Sequence, residues 1–159
     1  MQRRHFLAAG LAGASAGWAA PRVQVGAHLW VFAAGQPGYD AYPVLDEVFA
    51  QMGKAGLDGI ELMNFVLLHD DSVARIRELS KRHALPVIGS SWSANLWDAS
   101  THDGALAQAA VVIERLQAVG GRTLGLSVGD AGRKKTEAEF DAQAKALRRV
   151  MRLCAEHGV

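Results

Sequence analysis

The chain has one cysteine, no long run of positive charge and no apolar stretch suited to crossing a bilayer. A single thiol, Cys154, cannot form an internal disulfide, so no cystine framework holds the fold. It lies in a helical run, where it reads as a partly buried small apolar residue rather than a nucleophile. Neither sign of charge dominates, with 17 basic residues against 16 acidic ones. Without a concentrated basic stripe, strong binding to nucleic acid or to an anionic membrane is not expected. The stretch from Phe6 to Ala20 is rich in Gly and Ala and falls short of the about 20 strongly apolar residues that a spanning helix needs. No G-x-G-x-x-G follows the first predicted strand, so a dinucleotide-binding sheet loses its main support.

What is present starts with Arg3-Arg4 ahead of Phe6-Leu7 and a short Ala/Gly/Leu run, the pattern of a twin-arginine export signal. Gly10, Gly13 and Gly17 would each weaken a core helix by roughly 1 kcal/mol relative to Ala, which argues against placing this segment in the fold. Cleavage is expected after Ala19, dividing the chain into a signal over 1–19 and a folded part over 20–159. Periplasmic or secreted localisation follows. Loss of Arg3 and Arg4 takes the basic count from 17 to 15 and leaves a net charge of about −1. Half of the residues are hydrophobic, so a sizeable core is available.

Beyond the signal a strand-then-helix pattern recurs. Apolar runs at 23–32, 58–63, 85–90 and 122–128 read as strands. Periodic segments at 43–55, 70–84, 103–119 and 136–157 read as amphipathic helices. Gly56 and Gly120-Gly121 close two of them, and Thr136 opens the last with Glu137 and Glu139 in its first turn. Four such units argue for a parallel sheet with right-handed crossovers. Two architectures satisfy that pattern: an open doubly wound sheet and a (β/α)8 barrel. The Glu156-His157-Gly158-Val159 ending repeats the helix-to-strand junctions at Lys54-Ala55-Gly56-Leu57 and Arg82-His83-Ala84-Leu85, so Val159 reads as entry to a further strand.

The phrase Ala55-Gly-Leu-Asp-Gly-Ile-Glu61, with Val25-Gly-Ala-His-Leu-Trp30 and the entries at Ala84-Leu-Pro-Val87 and Glu156-His-Gly158, resembles the xylose isomerase-like TIM barrels. That group includes sugar phosphate isomerases/epimerases and the family-2 apurinic endonucleases. The resemblance covers 23–159 and implies a TIM barrel cut to about four βα units. It also implies a divalent metal (Mn, Mg, Co or Zn), held by carboxylates and histidine of later strands, and proton transfer beside a sugar carbonyl. No metal ligand is assigned to this chain, and the chain alone is expected to be inactive. Its unpaired barrel edges are where self-association is expected.

In a barrel the carboxyl ends of the strands build the site. Glu61, opposite in face to Ile60 and Leu62, reads either as a sugar contact or as a structural ion pair with a helix cation. His28, expected to share a strand face with Trp30, reads as a sugar contact or a hydrogen-bonded core histidine. Trp92 and Trp97, expected in the loop after the third strand, either wall a pocket or cover the rim. Substrate-binding candidates are therefore Glu61, His28, Trp30 and Trp92. Ser91 stands near where many relatives carry histidine. His69-Asp70-Asp71 reads more simply as a helix N-terminus than as a metal cluster, and His102-Asp103 likewise. Arg133-Lys134-Lys135 reads as a solvated loop or a phosphate contact, and Tyr39 and Tyr42 as candidate lid residues. The leading expectation is an exported sugar or polyol isomerase/epimerase-like protein. The alternatives are a carbohydrate-binding or glycoside-cleaving relative, and a metal-dependent abasic-site endonuclease. Export, near-neutral charge and the missing histidines speak against the nuclease.

Overall fold

The computed structural model describes residues 23–159; the proposed signal and its cleavage position lie outside the described residues. Four parallel strands, β1 (Gly26–His28), β2 (Gly59–Met63), β3 (Val87–Ser93) and β4 (Thr123–Ser127), lie side by side in chain order. Sequential order with every pair parallel is the arrangement of consecutive βα units in a barrel, not of a doubly wound sheet.

The helices are α1 (Trp30–Ala33), α2 (Leu45–Lys54), α3 (Asn64–Leu67), α4 (Ser72–His83), α5 (His102–Ala118) and α6 (Glu137–His157). Alternation along β2 divides the sheet into two faces. Ile60 and Leu62 are fully buried and meet a core that includes Val48, Phe49, Ile76, Leu79, Val112 and Ile113 from the helices. Glu61 and Met63 point to the other, inner face and are partly exposed.

Each of the four longer helices ends in the same way. A residue with positive φ follows the helix, and the next amide reaches back five residues to a helix carbonyl. Leu57 bonds Met52 at 3.4 Å, Leu85 bonds Ser80 at 3.1 Å, Gly121 bonds Leu116 at 3.0 Å and Val159 bonds Cys154 at 2.9 Å. This closure satisfies carbonyls that the helix leaves open and turns the chain out of the helix. The left-handed residues are Gly56, Ala84, Gly120 and Gly158. Three are the expected glycine; Ala84 has φ 49° and carries a Cβ in a region that disfavours one.

At the amino end of the sheet the β2–β3 register slips between Ile60 and Glu61, which leaves Ile88 as an extra residue on β3. Its side chain lies across β2 and β1. A Cβ at Gly59 or at Gly26 would come within 2.4 Å of Ile88 atoms, so a side chain at either position would have to displace the isoleucine.

The first strand is shorter than its apolar run suggests. Pairing stops at His28, and Leu29 has φ −74° and ψ 2°, which starts the short helix α1. The third strand is longer, running to Ser93 through Ser91 and Trp92. The last helix opens with a full capping box: Thr136 accepts the Glu139 amide, and the Glu139 carboxylate accepts the Thr136 amide. Arg133 adds a two-pronged contact to the same carboxylate at 2.6 and 2.9 Å.

Two outcomes follow. Ala84→Gly should raise stability by about 1 kcal/mol by relieving a left-handed alanine, read as a higher urea midpoint. The Arg133 guanidinium, with the Thr136 amide, holds the Glu139 carboxyl down from 4.5 to about 2. A depressed folded-state value means this contact stabilises above pH 4.5 and is lost as pH falls toward 2. The melting-temperature gap between wild type and Glu139→Gln should therefore be largest at neutral pH and shrink across that window.

Candidate functional site

The inner face gathers its polar groups at the carboxyl ends of the strands. His28 closes β1, Glu61 sits near the end of β2, and Ser91 lies toward the end of β3. The Trp30 amide donates to His28 Nδ1 at 3.0 Å. Because that nitrogen accepts, a neutral ring carries its hydrogen on Nε2, 2.9 Å from Ser91 Oγ. The imidazole thus spans from β1 over β2 to β3. Glu61 pairs in register with His28 on one side and with Gly89 on the other.

Beyond β3, Gly125 of β4 lies bare against this group. A Cβ there would stand 3.2 Å from Glu61 Oε1 and 3.9 Å from the Ser91 Cα. Among the described residues no hydrogen bond or ion pair engages the Glu61 carboxylate. The helix cation considered as its partner is not there. An open groove of about 460 Å³ runs along the strand ends, bordered by Asn64, Phe65, Ser91, Trp92, Gln108 and Ser127.

Both tryptophan candidates sit differently from the sequence expectation. Trp30 does not share the His28 strand face: the chain has already turned into α1, and the residue is 54% exposed. Its backbone amide, not its indole, is what meets His28. Trp92 belongs to β3 rather than to the loop after it. It alternates to the face opposite Ser91, is 1% exposed, and donates its indole N–H to Gln108 of α5 at 3.0 Å. It borders the groove but offers a ligand little accessible ring. In the true loop, Trp97 lies beneath the Arg133 guanidinium at 5.9 Å, and its indole nitrogen is buried without a partner among the described residues.

The remaining candidates are held by their own surroundings. His69, Asp70 and Asp71 point to three partners rather than converging. His69 Nε2 meets Asp40 at 2.7 Å, Asp70 faces Arg115 at 3.6 Å, and Asp71 accepts the Tyr42 hydroxyl. Asp71 stands at the helix N-cap position but makes no side-chain capping bond, so the capping explanation gives way to the tyrosine contact. That contact lowers the Asp71 carboxyl, while burial and then the Asp71 hydrogen bond push the Tyr42 phenol up. Tyr42 also stacks on His69 with centroids 3.8 Å apart and is buried, so it fixes the loop rather than covering it. Tyr39 is exposed. His102 is buried against the Leu96 carbonyl at 2.8 Å. In the β4–α6 loop, Arg133 is committed to Glu139, and Lys135 to the Gly129 carbonyl and Gln143, both at 2.9 Å.

Among the described residues no group of three or more His, Cys, Asp or Glu side chains could hold a metal ion. The arrangement instead offers one carboxylate acceptor, one oriented imidazole and a hydroxyl on a neutral backbone floor. Sequence alternation located Glu61 and His28; it did not reveal that Ser91 and Gly125 complete their surroundings. The signal for Ser91 was its two-residue step from Gly89, which puts it on the inner face once β3 extends to Ser93.

The comparisons agree with this architecture. A family model described as "Xylose isomerase-like TIM barrel" matches residues 49–159. A D-allulose 3-epimerase from Methylomonas sp. superposes with TM-score 0.65 at 20% identity, over 87% of this chain and 50% of that one. A 3-keto-D-glucoside 4-epimerase from E. coli gives 0.63 at 18% identity, over 87% and 54%. A D-psicose 3-epimerase, solved in the presence of D-fructose, gives 0.64 at 13% identity, over 86% and 50%. The chain thus spans about half the length of the solved structures it matches. No curated protein matches it in sequence.

Proposed function

Because this chain belongs to the xylose isomerase-like TIM barrel family, we propose that it is the sugar-orienting part of an exported isomerase/epimerase-like protein acting on a sugar or polyol. The observation that carries the reading is the Glu61 carboxylate, turned to the inner face at the strand ends and free of any protein partner among the described residues. A charge in that position must be solvated or paired, and a ligand hydroxyl is a natural donor to it. Ser91 and the groove beside it supply further polar contacts nearby, and His28 orients Ser91.

The chemistry associated with the family moves a proton at the carbon beside a carbonyl, which needs a base and a group that polarises the carbonyl. The described residues do not fit the divalent ion that the resemblance implies: no cluster of three or more His, Cys, Asp or Glu side chains among them could hold it. They supply binding and orientation: Glu61 accepts a hydrogen bond from a sugar hydroxyl, and the imidazole is held by the Trp30 amide. A phosphorylated substrate is disfavoured, since Arg133 is committed to Glu139 and Lys135 to the Gly129 carbonyl and Gln143. Conversion of the sugar is assigned to the complete protein, not to these residues alone.

Titration of the purified chain with D-fructose or D-allulose, followed by tryptophan fluorescence, should show saturable binding without product formation. Glu61→Gln should weaken it about tenfold or more, as for loss of a hydrogen bond to a charged acceptor. Equal affinity in wild type and variant would remove Glu61 from the site. Export is tested by fusing residues 1–22 to a folded reporter. The reporter should fractionate with the periplasm, and replacing Arg3 and Arg4 by lysine should hold it in the cytoplasm.

A further inference from the structure

We infer that Ser91 is a ligand-binding residue with a fixed direction: its hydroxyl donates to an oxygen of a neutral sugar, adjacent to the sugar hydroxyl that donates to Glu61. This deepens the carbohydrate reading and rests on it. The direction comes from a relay of hydrogen bonds. A backbone amide can only donate, so the Trp30 N–H makes His28 Nδ1 an acceptor. The neutral imidazole then carries its hydrogen on Nε2 and donates it to Ser91 Oγ at 2.9 Å. With that bond received, the serine has one proton left to give. Ser91 is half-buried on the inner face, and no other side-chain partner takes that proton among the described residues.

Across the bare backbone of Gly125, the Glu61 carboxylate flanks the same strip as Ser91. An ionised carboxylate only accepts. The two side chains therefore present one acceptor and one donor, side by side. The complement is a ligand that donates from one carbon and accepts at the next, as in a vicinal diol or an α-hydroxy ketone. The negative charge on Glu61, with no cation bound to it among the described residues, selects against an anionic ligand. His28 does not need to touch the sugar in this arrangement. It is a positioning residue that fixes where the serine proton goes.

The test uses the full chain with D-allulose and D-fructose as probes and D-gluconate as the anionic control. Ser91→Ala should weaken binding of the two ketoses about five- to tenfold, the cost of one hydrogen bond. Ser91→Thr, which keeps the hydroxyl, should stay within about twofold of wild type. D-Gluconate should bind more weakly than either ketose. Nitrogen-15 NMR of wild type should show His28 with its hydrogen on Nε2, a readout that does not depend on any sugar. Sugar binding that Ser91→Ala leaves unchanged, equal losses in the alanine and threonine variants, or a hydrogen on Nδ1 would overturn this inference and leave the carbohydrate reading standing. Failure of wild type to bind either ketose would overturn both.

Discussion

The sheet depends on a single recurring hydrogen bond, the one that runs from the amide just after each long helix to a carbonyl five residues earlier. It appears at Leu57, Leu85, Gly121 and Val159, each time after a residue with positive φ. The bond stops the helix and redirects the backbone within two residues. At the first three of these sites the chain then enters the next strand, and every strand runs the same way as the last. Chain order then becomes spatial order, and all four carboxyl ends fall on one side. That shared side is why His28, Glu61 and Ser91, separated by some thirty residues at each step, come to one place.

The two faces of the sheet divide the labour. Apolar side chains of β2 and the ring of Trp92 meet the helices and supply the core. Near the strand ends the inner face carries His28, Glu61, Ser91 and Gly125 beside Met63, and glycine stands where Ile88 crosses neighbouring strands. Around the rim the loops are tied down by charge and ring contacts: Asp40 with His69, Tyr42 with Asp71, Arg133 with Glu139. Most ionisable groups that looked like candidate chemistry are consumed in this way. Among the described residues, the inner-face carboxylate of Glu61 is not.

Much of this order could be read from the chain itself. Helical periodicity and the glycine stops located α2, α4, α5 and α6 to within two residues, and strand alternation put Glu61 opposite Ile60 and Leu62. Thr136 was recognised as a helix start, and the structure adds the reciprocal bond from Glu139. Errors fell where one hydrogen bond overrides a pattern. His28 Nδ1 captures the Trp30 amide, so an apolar run continues as a helix and Trp30 leaves the strand. From the sequence Trp92 reads as a residue of the loop after the third strand, yet pairing with β4 carries the strand through Ser93. Asp71 reads from the sequence as a capping residue, but its carboxylate accepts from the Tyr42 hydroxyl, remote in sequence, instead. Such long-range partners leave no trace in local spacing.

Ile88 gives the inner face a direction. Its side chain spreads over Gly59 and Gly26 at the amino end, while the imidazole, carboxylate and hydroxyl stand at the opposite end. The surface is therefore graded along the strands, greasy below and wet above. Any molecule lying along this face would meet apolar surface at the amino end of the strands and hydrogen-bonding groups at the carboxyl end.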